Sequence, residues 1–163
     1  MRDLVAGLVA FGLVAAALSL ATTLHVWRRR RQHAYDAERA LGRVIVAEIP
    51  VGDELKLFSE DAVRFYYGDR AIDKESIAAA RVLINGSPIA AVVSTRHARI
   101  AEQHPTAFDD RPEGIARDRW DVAIETTGGT VLVECGAIRE RISQELARAV
   151  FDALRRGVEQ RHR

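Results

Sequence analysis

The sequence has a single cysteine, Cys135, so no internal disulfide can form and nothing points to an oxidising compartment. No cysteine stands directly after the first apolar run, so no lipobox-like attachment point is seen there. No GxGxxG fingerprint occurs, and Gly128-Gly129 has no Lys-Ser/Thr pair behind it. It reads as a turn and not as a phosphate loop. A basic excess is also missing where a nucleic-acid binder needs one: from Arg43 to Arg163 there are 18 Lys and Arg against 20 Asp and Glu. That balance argues against nucleic acid as a partner. Gly/Ser-rich and Pro-rich linkers are lacking as well, so the chain shows no flexible hinge between its parts.

What the chain does have is a long apolar run. Leu4 to Trp27 is 24 residues without a charge, and an α-helix crossing the hydrocarbon core needs about 20. Arg28, Arg29, Arg30 and Arg31 follow at once, and Trp27 sits where an interfacial anchor belongs. Before the run stands only Met1-Arg2-Asp3, a poor n-region. The run is too long for the h-region of a cleaved signal, so a retained span is expected. One arginine before it and four directly after place the C-terminal part in the cytoplasm of an inner (plasma) membrane protein. The arginine collar is suited to anionic headgroups, worth about 1 kcal/mol per basic residue near the surface. Gly12/Ala16, Ala6/Ala10 and Ala17/Ala21 have the small-xxx-small spacing that lets one span pack on another. Three segments are expected: an anchor over 1–27, a basic juxtamembrane helix over 28–42 closed by Gly42, and a soluble domain over 43–163.

Beyond Gly42 the hydrophobic period shortens from helix-like to strand-like. Val44–Val46 with Ile49, Leu55–Phe58, Val63–Tyr67, Arg81–Ile84, Ile89–Val93, Trp120–Glu125 and Val131–Val133 read as seven strands, with Asn85-Gly86 as a hairpin turn. Most alternate one apolar with one polar face, as an antiparallel sheet covered on one side requires. Ile138, Ile142, Leu146, Ala149, Val150, Ala153 and Leu154 then form one helical stripe. A helix this amphipathic must dock on the sheet. Val158–Arg163 reads as a frayed basic tail.

Seven short strands followed by one amphipathic helix resemble the order of a bacterial pleckstrin-homology-like (PH-like) domain. The likeness is carried by Leu57–Phe65, by Arg70–Ile77, and by the Trp120–Val133 hairpin with its following helix. It covers about the whole domain at the level of pattern. The resemblance implies an α+β fold, a PH-like antiparallel β-barrel or sandwich capped by the C-terminal helix, and a binding platform in place of a catalyst. Ser94–Asp118 departs from the pattern: its roughly 25 residues exceed what such a fold needs.

That long connection is a natural place for function on a scaffold. It holds Arg96, His97, Arg99, His104, Asp109, Asp110 and Arg111, a candidate partner-binding loop. Thr95–Gln103 suits a short helix. Two histidines and two aspartates are also metal-ligand chemistry, though at no established spacing. Cys135 stands just before the final helix, either a nucleophile or a small buried group. Phe65, Tyr66 and Tyr67 pair across strands or line a peptide groove. The function expected is a non-enzymatic single-pass scaffold or assembly protein. It binds a protein partner, possibly a larger membrane complex, needs no cofactor or metal, and touches anionic lipid through Arg28–Arg31. The alternative is a membrane-tethered enzyme or metal-dependent sensor using the 94–118 loop or Cys135.

Overall fold

The computed structural model describes residues 2–52, 54–97 and 119–160. The chain divides into two compact units, Met1–Gly42 and Arg43–Arg163. The first is a single helix, α1 (Arg2–Ala40), running unbroken through the arginine cluster. Leu41 and Gly42 close it by donating to the carbonyls of Ala37 and Arg39, and Gly42 takes the positive φ of 72° that a helix C-terminus uses. The 1–27 and 28–42 segments are thus parts of one continuous helix.

The second unit is α+β. Its first sheet is a meander, β1 (Val44–Val51), β2 (Glu54–Glu60), β3 (Arg64–Tyr67) and β4 (Arg70–Asp73). A short 3₁₀ turn, Lys74–Ser76, leads to the second sheet. That sheet contains β5 (Ile77–Ile84), β6 (Ser87–Val93), β7 (Arg119–Thr126) and β8 (Gly129–Ala137), ordered β6-β5-β7-β8. A helix, α2 (Arg141–Glu159), ends the described chain. Among the described residues there are eight strands in two open sheets, which corrects the seven expected strands and the barrel option. The missed strand is β4. Arg70-Ala71-Ile72-Asp73 shows one buried side chain, Ile72, too little to stand out as a pattern.

The order of the second sheet accounts for the long connection after Ser94. Both β6 and β7 pair antiparallel with β5, one on each side. They therefore run parallel to each other, and parallel strands need a crossover of a dozen residues or more. A simple meander would not.

One core serves both sheets. Phe58 and Phe65 stack with centroids 5.6 Å apart, and Ile49, Ile72, Val82, Val122, Ile124 and Val133 close around them. The helix contacts β1, β5, β6, β7 and β8, as its stripe demands. The buried stripe is rotated from the expected one. Ser143, Ala147, Val150, Ala153, Leu154, Gly157 and Val158 are buried, whereas Ile142 is 67% exposed. Ile138 precedes the helix, and Val158 belongs to it and not to a frayed tail. Small residues face the sheets because the approach is close: a Cβ on Gly157 would lie 3.0 Å from Phe65 Cζ. The Asn85-Gly86 turn has φ of 50° and 85°, both positive, as a two-residue I′ hairpin requires.

The face of the second sheet opposite α2 sets charge among the buried side chains of Ala79, Leu83 and Ala123. Register places Ala79 opposite Glu125, Arg81 opposite Ala123 and Leu83 opposite Asp121. Arg81 Nε lies 2.8 Å from Glu125 Oε1. Arg119 lies 2.7 Å from Asp121 and 3.1 Å from Glu134. Asp121 is fully buried and Glu125 nearly so. Removing one partner from a buried pair strands a charge, whereas replacing both with apolar groups is near neutral. Arg81→Ala is thus expected to cost about 3–5 kcal/mol in denaturant unfolding, and Arg81→Met with Glu125→Leu to recover most of it.

Candidate functional site

Where the two sheets splay apart they leave a groove of about 510 Å³. Lys56 of β2 and the β3–β4 turn, Gly68-Asp69, form one wall. Thr130, Val131 and Leu132 of β8 form the other, and Tyr67 lies at the base. Strand β8 is an edge: it pairs with β7 alone. Tyr67 is hydrogen-bonded to the Glu134 backbone, and burial pushes its phenol above the ordinary value. Along an edge strand every second residue turns its N–H and C=O away from the neighbouring strand, so β8, paired with β7 alone among the described residues, offers such groups toward the groove. The groove thus combines unpaired strand hydrogen-bonding groups, apolar side chains from Val51 and Val131, and a rim of Lys56 and Arg70 against Asp69 and Glu134. A rim with both signs suits a zwitterionic peptide better than a phosphate or a bare cation.

The three aromatics separate in role. Phe65 is core and Tyr67 lines the groove. Tyr66 turns to the surface, where its hydroxyl donates to Asp61 at 2.8 Å and the Arg43 guanidinium stacks 3.5 Å above its ring. The N–H groups of Arg64 and Val63, with the Tyr66 hydroxyl, hold the Asp61 carboxyl below the usual carboxylate range. Sequence pattern singled out Tyr67 but none of the groove's other lining residues. The one available sign was the Gly68-Asp69 turn directly after it.

Of the candidate loop, Arg96 and His97 are described. They sit in a 3₁₀ turn, Thr95–His97, in place of the first turn of the expected helix. His97 Nε2 is 3.0 Å from the Glu75 carbonyl. Together with Val63, Asp73 and Thr127 they line a second, shallower depression. Arg99, His104, Asp109, Asp110 and Arg111 lie outside the described residues. Among the described residues no three His, Cys, Asp or Glu side chains converge as a metal site.

On α1, Arg28, Arg29, Arg30 and Arg31 are exposed. The Trp27 side chain lies outside the described set. Tyr35 is flanked by the guanidiniums of Arg31 and Arg39, 5.8 and 5.9 Å from its ring. These cation–π contacts at i±4 spacing gather positive charge along one helix face.

Cys135 lies on the core side of β8, fully buried. Burial, and secondarily the Asp121 charge, pushes its thiol up to about 12. The thiol is protonated at neutral pH, so the folded chain holds no thiolate nucleophile there. Iodoacetamide near pH 8 is expected to leave Cys135 unmodified in the native chain and to label it fully once denaturant opens the core; mass spectrometry of the intact chain reads both states.

Comparison with known protein families, with curated proteins and with solved structures yields no match for this chain.

Proposed function

We propose that this protein is a single-pass scaffold of the inner membrane, holding a cytoplasmic PH-like domain that docks an extended segment of a protein partner. The observation that carries the anchor is the exposure of α1. Phe11 is 74% exposed, Leu13 67%, Leu18 62%, Leu20 64% and Val26 50%, and the apolar window within Phe11–Ala40 is 0% buried against protein. Leaving such side chains in water costs about 1.5–3 kcal/mol each relative to burial, and lipid removes that cost. The arginines after the run supply the orientation and an affinity for anionic headgroups.

The PH-like reading draws support from the four-stranded meander, the second sheet and the capping helix. Its order β6-β5-β7-β8 departs from a simple meander. Partner binding rests on the β8 groove, where an extended peptide can add as a further strand and place alternate side chains between Tyr67 and Val131. Anchoring restricts the domain to a surface, so a modest contact suffices once the partner shares it.

Two measurements test this. Alkaline carbonate washing should leave the full-length chain in the membrane pellet and detergent should release it, with a C-terminal reporter active only in the cytoplasm; recovery in the wash would contradict the anchor. Val131→Arg and Leu132→Pro place a charge and a missing donor in the groove. Proteins that co-purify with the detergent-solubilised wild type are expected to be lost from both variants, and an unchanged set would contradict the groove.

A further inference from the structure

The two sheets have four edge strands, β1, β4, β6 and β8. Natural edges are blunted by charge, proline, bulges or cover. Glu48 lies in β1, Arg70 and Asp73 in β4, and Glu134 in β8. Strand β6, Ser-Pro-Ile-Ala-Ala-Val-Val, has no charge. Its outer side chains are open: Ile89 is 55% exposed and Val93 43%, with Ala91 exposed between them. Pro88 and the extra residue in β6, between the pairs Val82↔Ala90 and Leu83↔Pro88, blunt only its first part. Ala90–Val93 is regular and, among the described residues, pairs with β5 alone.

We propose that this edge joins two copies of the chain, β6 against β6, into one continuous sheet across a two-fold axis. A two-fold contact sets every residue of a patch against the same patch on the partner, so charge on an edge works against it. Among the four edges only β6 meets its copy without a charge in the strand. The two-fold also makes the pairing antiparallel. Arg96, just beyond the strand, then lies at the far end from its counterpart; a parallel pairing would set the two side by side. A contact of about four residues per copy is small beside a stable interface of about 1,200–2,000 Å². It becomes effective when both copies are held in one membrane, and in that respect rests on the anchored reading.

The native background is favourable for a cysteine scan, because the one cysteine, Cys135, is buried. The full-length chain carrying Ile89→Cys, Ala91→Cys or Val93→Cys is reconstituted in phosphatidylcholine–phosphatidylglycerol vesicles and oxidised with copper phenanthroline. Ala71→Cys, at an exposed position on the charged edge β4, is the control. Residues near the axis of an antiparallel pair have Cα atoms about 4.5–5.5 Å apart, within disulfide reach. Cross-linking should peak at Ala91→Cys, at least about tenfold faster than at Ala71→Cys. Adding Val93→Glu to Ala91→Cys should abolish it while leaving the circular dichroism spectrum and melting temperature unchanged. Equal rates at the two edges, or none at β6, would overturn the pairing. If the chain fails to enter vesicles the anchored reading falls, and the same position dependence, measured in solution, still decides the edge contact.

Discussion

Apolar side chains with no protein to cover them are the constraint from which the rest follows. Over α1 the described leucines, valine and phenylalanine point outward on all sides, whereas a helix made for a soluble surface keeps its apolar residues to one stripe. Helix α1 is long and apolar enough to span a membrane, and the proposed reading gives it lipid as its cover. Once the helix is assigned to lipid, the adjacent guanidiniums fall at the headgroups. The long apolar stretch ceases to be a solubility problem, and the remaining residues are left to make a domain unaided.

That domain is built by the opposite device. Neither four-stranded sheet can bury its inner face alone, and α2 closes over both with small residues turned inward. Gly157 against the Phe65 ring shows how close the approach is. Lys74 fixes the seam between the sheets. Its ammonium reaches Glu60 at 2.8 Å and the Asp61 carbonyl at 2.7 Å, and lies 4.6 Å from the Phe65 ring. On the far side of the second sheet, ion pairs lie among the buried Ala79, Leu83 and Ala123. Such pairs select a register more than they stabilise one, since a one-residue slip of β7 would carry Asp121 and Glu125 into the core.

Much of this was legible in the residues, and the failures have physical causes. The long apolar helix, the strand alternation and the Asn85-Gly86 hairpin rest on local period and turn chemistry, and each lies where expected. β4 escaped because only Ile72 of its four residues is buried. Val150, Ala153 and Leu154 of the expected helix stripe are buried, but its first turn was misread because the close approach to the sheets favours Ser143 over a large Ile142, a tertiary demand that hydrophobicity does not register. The length of the 94–118 connection was visible, but its reason lies in β7 choosing β5 over β6, and strand partners are not a local property. The groove was nearly invisible for the same cause: it is made by residues from five strands and a turn. Only Tyr67 drew attention.

The proposed readings assign protein, lipid and a second copy to separate places, the β8 groove, the arginine collar and the β6 edge. The first two are read with the rod in the bilayer. Amide hydrogen exchange on the full-length chain in lipid nanodiscs tests that most directly. The account predicts one block of near-complete protection over Leu4–Trp27, ending at the arginines, with faster exchange over Gln32–Ala40 on the same helix. Exchange over Leu4–Trp27 as fast as over Gln32–Ala40 would contradict it.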